Sequence, residues 1–174
     1  MPAYFEHPLY IKALANSVQN HLDERRAQGM DPPDLLIASY HGLPKRFLLA
    51  GDPYHCQCLK TTRLLRAQLN WSENAIESAF QSLSGREEWL KPYTVERVAE
   101  LAQAGRKNIA IIAPGFSADC VETLEEIKQE IRLAFEEAGG ETLTYIPCLN
   151  TRPDHMDLLT AIIQSEAKGW LDGK

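Results

Sequence analysis

The sequence predicts an α/β fold: three layers, with a mostly parallel sheet of about four strands and helices on both faces, in a single lobe spanning residues 1–174. Three observations predict it. Short apolar runs of strand length alternate with longer segments whose apolar residues recur at helical spacing. Glycine and proline fall between those segments as punctuation. Alternation of this kind buries its apolar surface as a parallel sheet covered on both sides, with right-handed crossovers.

Each element has its own warrant. Pro8 to Gln28 carries Leu9, Ile11, Leu14, Val18 and Leu22 at helical spacing, with Gly29 as its stop. After the break Asp31-Pro32-Pro33, residues Asp34 to Tyr40 form a buried-strand pattern ending at His41-Gly42-Leu43-Pro44. Tyr54 to Leu69 is expected to be helical, with Leu59, Leu64, Leu65 and Leu69 inward. Ala75 to Gln81 is a second strand, interrupted by Glu77 and Ser78. Thr94 to Ala104 is helical and stops at Gly105. Lys107 to Ala113 is the clearest strand, ended by Pro114-Gly115. Asp119 to Ala138 is a long amphipathic helix closed by Gly139-Gly140; Glu141 to Ile146 is the fourth strand, and Pro153 to Lys168 the last helix. Ligands of such sheets bind beyond the carboxyl ends of the strands. The loops at His41, Gln81-Ser82, Gly115-Phe116 and Leu149-Asn150 should therefore share one edge.

Composition narrows the class. The chain of 174 residues is 44% hydrophobic and 24% charged, ordinary for a globular protein. A formal net charge of −6 argues against nucleic acid, which would need a basic stripe; the pairs Arg25-Arg26 and Arg106-Lys107 read as solvated helix ends. The longest apolar run, Ile109 to Pro114, is far short of a bilayer span. The opening MPAYFEHPLY lacks a basic region and an apolar signal core, and Cys56, Cys58, Cys120 and Cys148 are too dispersed for a disulfide scaffold. A reducing cytoplasm is the expected setting.

Several residues could carry chemistry. His41 follows a strand and precedes glycine, so its ring could project from the sheet edge as a base or metal ligand; the plainer reading is a histidine satisfying loop carbonyls. Asp119 and Glu122 fit a capping box, with Asp119 over the first turn and Glu122 reaching back, and the residue pattern alone favours that reading. The functional alternative places Glu122, and Glu126 four residues on, beside the site edge as oxygen ligands or proton acceptors. A nitrogen ligand from His41 and an oxygen ligand from Glu122 would make a mixed, open site suited to Fe(II) transfer. Trp89, in a loop rich in Glu, Gly and Pro, could lie against a flat ligand or pin its loop to the core. The cysteines lack paired zinc-knuckle spacing, and an iron–sulfur cluster would need convergence from three segments, so none is expected.

Taken together, these segments resemble the ferrochelatase family. The resemblance rests on Ser39-Tyr40-His41-Gly42-Leu43-Pro44, Gly51-Asp52-Pro53-Tyr54, Phe80-Gln81-Ser82 with Trp89-Leu90-Lys91-Pro92-Tyr93-Thr94, Pro114 to Glu126, and Ile146-Pro147-Cys148-Leu149-Asn150 with His155 beyond. It covers nearly the whole chain in order. It implies insertion of Fe(II) into protoporphyrin IX, the last step of haem synthesis, with no prosthetic group required. By resemblance, His41 is the metal ligand or acceptor of pyrrole protons and Glu122 stands opposite it. Asp119 and Glu126 belong to an acidic line for metal or protons, and Trp89, Gln81, Ser82, Pro114 and Phe116 contact the porphyrin.

Members of that family are about twice this length, with two similar α/β halves and the porphyrin cleft between them. The resemblance makes this chain the carboxyl-terminal half. Its implied partners are an amino-terminal lobe or a second copy of itself, and it leaves peripheral membrane contact open. The half alone is expected to fold but to insert metal weakly or not at all. The competing readings are a non-catalytic porphyrin- or haem-binding module and a related chelatase loading cobalt, whose members usually carry more histidines at the site. A generic His/Glu metallohydrolase is disfavoured because no HExxH motif occurs.

Overall fold

The computed structural model describes residues 3–171. Strands β1 (Leu35–His41), β2 (Ile76–Gln81), β3 (Asn108–Ile112) and β4 (Thr142–Ile146) form one sheet in the order β2-β1-β3-β4, with every neighbouring pair parallel. The helices are α1 (Pro8–Ala27), α2 (Lys45–Leu49), α3 (Tyr54–Leu69), α4 (Thr94–Gln103), α5 (Arg132–Glu137) and α6 (Pro153–Leu171). A π-helical segment, Glu122–Ile131, runs directly into α5.

Side-chain alternation divides the strands between two cores. Leu36, Ala38 and Tyr40 of β1 pack with Leu14 and Val18 of α1, Leu65 of α3 and Leu158 of α6. Leu35 and Ile37 face the other way, onto Val98 and Leu101 of α4, Ile127 and Ile131 of the π segment and Phe135 of α5. The three-layer expectation therefore holds. Parity also matters for the site: Ser39 and His41 share the direction of Leu35 and Ile37, towards the layer that the π segment opens.

The polar residues in β2 have partners, which is why they do not break it. Glu77 accepts from Arg97 Nε and Nη2 at 2.8 and 3.0 Å, and Ser78 Oγ donates to Thr62 Oγ1 at 2.7 Å.

Four local expectations are corrected. Arg25 is not a solvated helix end: it is 6% exposed, and its guanidinium donates to Asp31 O, Thr144 Oγ1 and Asn108 Oδ1, tying α1 to the far end of the sheet. Leu59 is 40% exposed, because the inward stripe of α3 runs through Cys58, Thr62 and Leu65 instead. The short α2 has no counterpart in the sequence reading; a single turn is below what periodicity detects. The helix expected from Asp119 begins three residues later and opens with π geometry, since residues before Glu122 are held by the neighbouring loop. Among the described residues, no helix is long and apolar enough to cross a membrane.

Candidate metal-insertion site

The carboxyl ends of all four parallel strands lie along one edge, and the residues of interest gather there. His41 is the last residue of β1 and the register partner of Gln81, the last residue of β2. Its ring is half-buried, with Nδ1 2.7 Å from Gly42 O. A carbonyl oxygen only accepts, so Nδ1 carries a proton, and the tautomer this selects leaves its lone pair on Nε2. The Phe116 ring lies 6.1 Å away, centroid to centroid, and Tyr54 OH donates to the His41 carbonyl at 2.9 Å.

Glu122 opens the π segment on the layer that His41 faces. Its carboxyl is held below the usual carboxylate range by a hydrogen bond from the Cys120 thiol and by its own backbone N–H, with the charge of nearby His41 acting in the same direction. The two residues are also linked through Gln81. Gly42 N, next to His41, donates to Gln81 O at 2.7 Å, while Gln81 Nε2 donates to Glu122 O at 2.6 Å. Gln81 thus ties the end of β1 to the first turn of the π segment, and a nitrogen–oxygen pair of the His41 and Glu122 kind suits an incoming divalent ion. Among the described residues, no three His, Cys, Asp or Glu side chains converge as a metal-ligand group.

The remaining expected residues fall into two groups. Glu126 is occupied: it accepts from Ser82 N at 2.6 Å, Ser82 Oγ at 2.8 Å and Gln81 Nε2 at 3.2 Å. Asp119 is likewise occupied. Its Oδ1 accepts from Tyr145 OH at 2.6 Å, Cys148 N at 3.2 Å and Thr123 Oγ1 at 3.3 Å, and its Oδ2 from Asn150 Nδ2 at 2.8 Å. Burial pushes its pKa upward, but those hydrogen bonds, led by Tyr145 and Asn150, outweigh it and hold the carboxyl below its ordinary value. The expected capping box does not form. Thr123 Oγ1 takes the Cys120 N–H at 2.9 Å, and Asp119 clasps the loop after β4 instead.

Gln81 is 2% exposed, so its side chain braces the site from behind, while Ser82 is partly exposed at φ +64°. Pro114 is buried and its carbonyl accepts from Tyr10 OH. Phe116 and Trp89 are half-buried; the Phe116 ring lies beside His41 and the Trp89 ring against Gly42. The loop is pinned on either side of Trp89: Leu90 N donates to Leu43 O at 2.9 Å and Lys45 N to Glu88 O at 2.8 Å. A Cβ on Gly42 would lie 3.1 Å from Trp89 Cε3 and 2.7 Å from Gln81 O, so only glycine admits this approach.

Sequence reasoning missed Glu130. It lines a cleft of about 200 Å³ with Glu126, Gln81 and Leu83, and its i+4 spacing from Glu126 was the available signal. Of the cysteines, Cys58 belongs to the core on the α1 side and Cys148 to the opposite core, while Cys56 is exposed on α3.

The fold and site define an α/β lobe with a histidine and a carboxylate at the carboxyl edge of a parallel sheet, and comparison with known proteins narrows the class. The ferrochelatase family model matches residues 1–167. The ferrochelatase of Rhodobacter capsulatus is 56% identical over 99% of this chain and 48% of its own length. That of Hydrogenovibrio crunogenus is 51% identical over 96% of this chain and 43% of its own, and that of Allorhizobium ampelinum 48% over 98% and 48%. The chain belongs to the ferrochelatase family. It spans about half the length of the curated relatives it matches.

Proposed function

We propose that this chain forms the metal-handling lobe of a ferrochelatase and acts in the insertion of Fe(II) into protoporphyrin IX to form haem. The observation that carries the reading is that Gln81, the register partner of His41, donates to the Glu122 carbonyl at 2.6 Å, joining the end of β1 to the segment that bears Glu122. Iron and porphyrin are the substrates: Fe²⁺ enters, two pyrrole N–H protons leave, and two nitrogen–iron bonds replace them. His41 Nε2, whose lone pair is free in the tautomer fixed by Gly42 O, accepts a pyrrole proton or meets the metal. Glu122, its carboxyl held below the usual carboxylate range, receives the second proton or holds the cation. Trp89 and Phe116 offer flat apolar contact to the macrocycle, as aromatic walls do in ligand sites. Ser82 at the loop edge meets the porphyrin, and Pro114 shapes the wall behind Phe116. Asp119, Glu126 and Glu130 surround the route by which metal or protons pass. The free thiols suit a reducing cytoplasm.

The other wall of the cleft belongs to an amino-terminal lobe. The test is haem formation followed by absorbance with protoporphyrin IX and Fe(II), using this chain alone and mixed with the remaining half of the Rhodobacter capsulatus relative. Weak or absent insertion by the chain alone, restored by the second half and lost again in His41→Ala by at least ~100-fold, supports the reading. Porphyrin binding without insertion in the two-half assembly would replace it with a binding module. Insertion of cobalt in preference to iron would assign the chain to the related cobalt chelatases.

A further inference from the structure

The Gln81 side chain is buried at the edge where the site lies, and its hydrogen bonds have a fixed polarity. Ser39 Oγ lies 2.6 Å from Gln81 Oε1 and 2.8 Å from Thr94 Oγ1, with Ser39 and Thr94 both 0% exposed. Gln81 Oε1 can only accept, so the single Ser39 hydroxyl proton points to it, and Thr94 must donate to Ser39. That order commits the Gln81 amide nitrogen to its two remaining partners. One proton goes to the Glu122 carbonyl at 2.6 Å and the other to Glu126 Oε2 at 3.2 Å. Glu126 is held in turn by Ser82 N and Ser82 Oγ.

The backbone of the same residue reaches the other half of the site. Gln81 is the register partner of His41, and its carbonyl accepts from Gly42 N at 2.7 Å. One residue therefore sets the end of β1 through its main chain and the first turn of the π segment through its side chain. Donor chains in a buried setting polarise one another, which stiffens the arrangement. We infer that Gln81 is a positioning residue that holds Glu122 at its working separation from His41, rather than a porphyrin contact. This inference rests on the iron-insertion reading above. It predicts that Gln81 governs kcat and leaves porphyrin KM nearly untouched, since its own atoms do not reach the rim surface.

A swap of charge and amide separates positioning from fold maintenance. Gln81→Glu sets a carboxylate against Glu126 and should lower both Tm and kcat. When Gln81→Glu is combined with Glu126→Gln, the amide introduced at position 126 can donate back to the carboxylate at position 81, so the clamp reforms with reversed polarity. The donor to the Glu122 carbonyl is then missing, and Glu126→Gln alone, which keeps that donor, measures what loss of the Glu126 carboxylate costs by itself. The expected result is that Tm of the chain recovers in the double variant while kcat of the two-half assembly stays at least about tenfold below that of Glu126→Gln alone, with KM for protoporphyrin IX within about twofold of the parent. Recovery of kcat together with Tm, or a raised KM with unchanged kcat, overturns the positioning role while His41→Ala remains inactive. If His41→Ala inserts iron as fast as the parent, the function reading fails and the positioning role goes with it.

Discussion

At the scale of single residues, the site divides into groups left free at the rim and groups already satisfied. His41 Nε2 and the Glu122 carboxylate remain available, whereas Asp119 and Glu126 have their oxygens taken up by named donors. Glu122→Gln should therefore reduce iron insertion by roughly tenfold or more without a comparable loss of stability. Asp119→Ala should, unlike Glu122→Gln, cost stability as well as insertion. It strands Tyr145 OH, Cys148 N and Asn150 Nδ2, so urea unfolding should register a loss of about 1–3 kcal/mol. The pH dependence has a definite sign. A carboxyl whose folded pKa lies below its unfolded one contributes stability above the unfolded value and loses it as pH falls through the folded one. Acid unfolding of Asp119→Asn should consequently be less steep below about pH 4 than that of the parent. The sequence made His41 and Glu122 candidates, but it placed Asp119 on a capping box. The partner that decides Asp119, the loop from Cys148 to Asn150, lies some thirty residues away, and capping rules read only local spacing.

At the scale of elements, the strand ends are held closer than most side chains allow. Gly42→Ala would drive a Cβ against Gln81 O and the Trp89 ring. Thermal melts should show a loss of about 1–3 kcal/mol, and the displaced end of β1 should carry His41 out of place and lower insertion further. Element order was legible because apolar runs and helical stripes differ in period, and Tyr54–Leu69 has the limits that pattern implies. The π geometry of Glu122–Ile131 was not legible. Its apolar residues, Ile127 and Ile131, recur at four, a spacing that α and π turns share at this length. The burial of Arg25 is hidden in the sequence for a related reason: an arginine pair at a helix end looks solvated until the strands beside it are known.

At the scale of the whole molecule, the lobe has a complete two-sided core yet presents large apolar side chains outward. Leu49 is 78% exposed, Val121 68% and Ile163 60%. Sedimentation of the chain alone should show concentration-dependent self-association that the remaining half of the Rhodobacter capsulatus relative suppresses, because uncovered apolar surface seeks a partner. The central claim is that His41 and Glu122 act on one metal–porphyrin pair across a shared rim. Its most direct test is the rate of haem formation by the two-half assembly with His41→Ala, Glu122→Gln and both together. Residues acting as one unit give a double variant no slower than the worse single variant. Multiplying losses, with each residue reducing the rate independently of the other, would contradict a shared site.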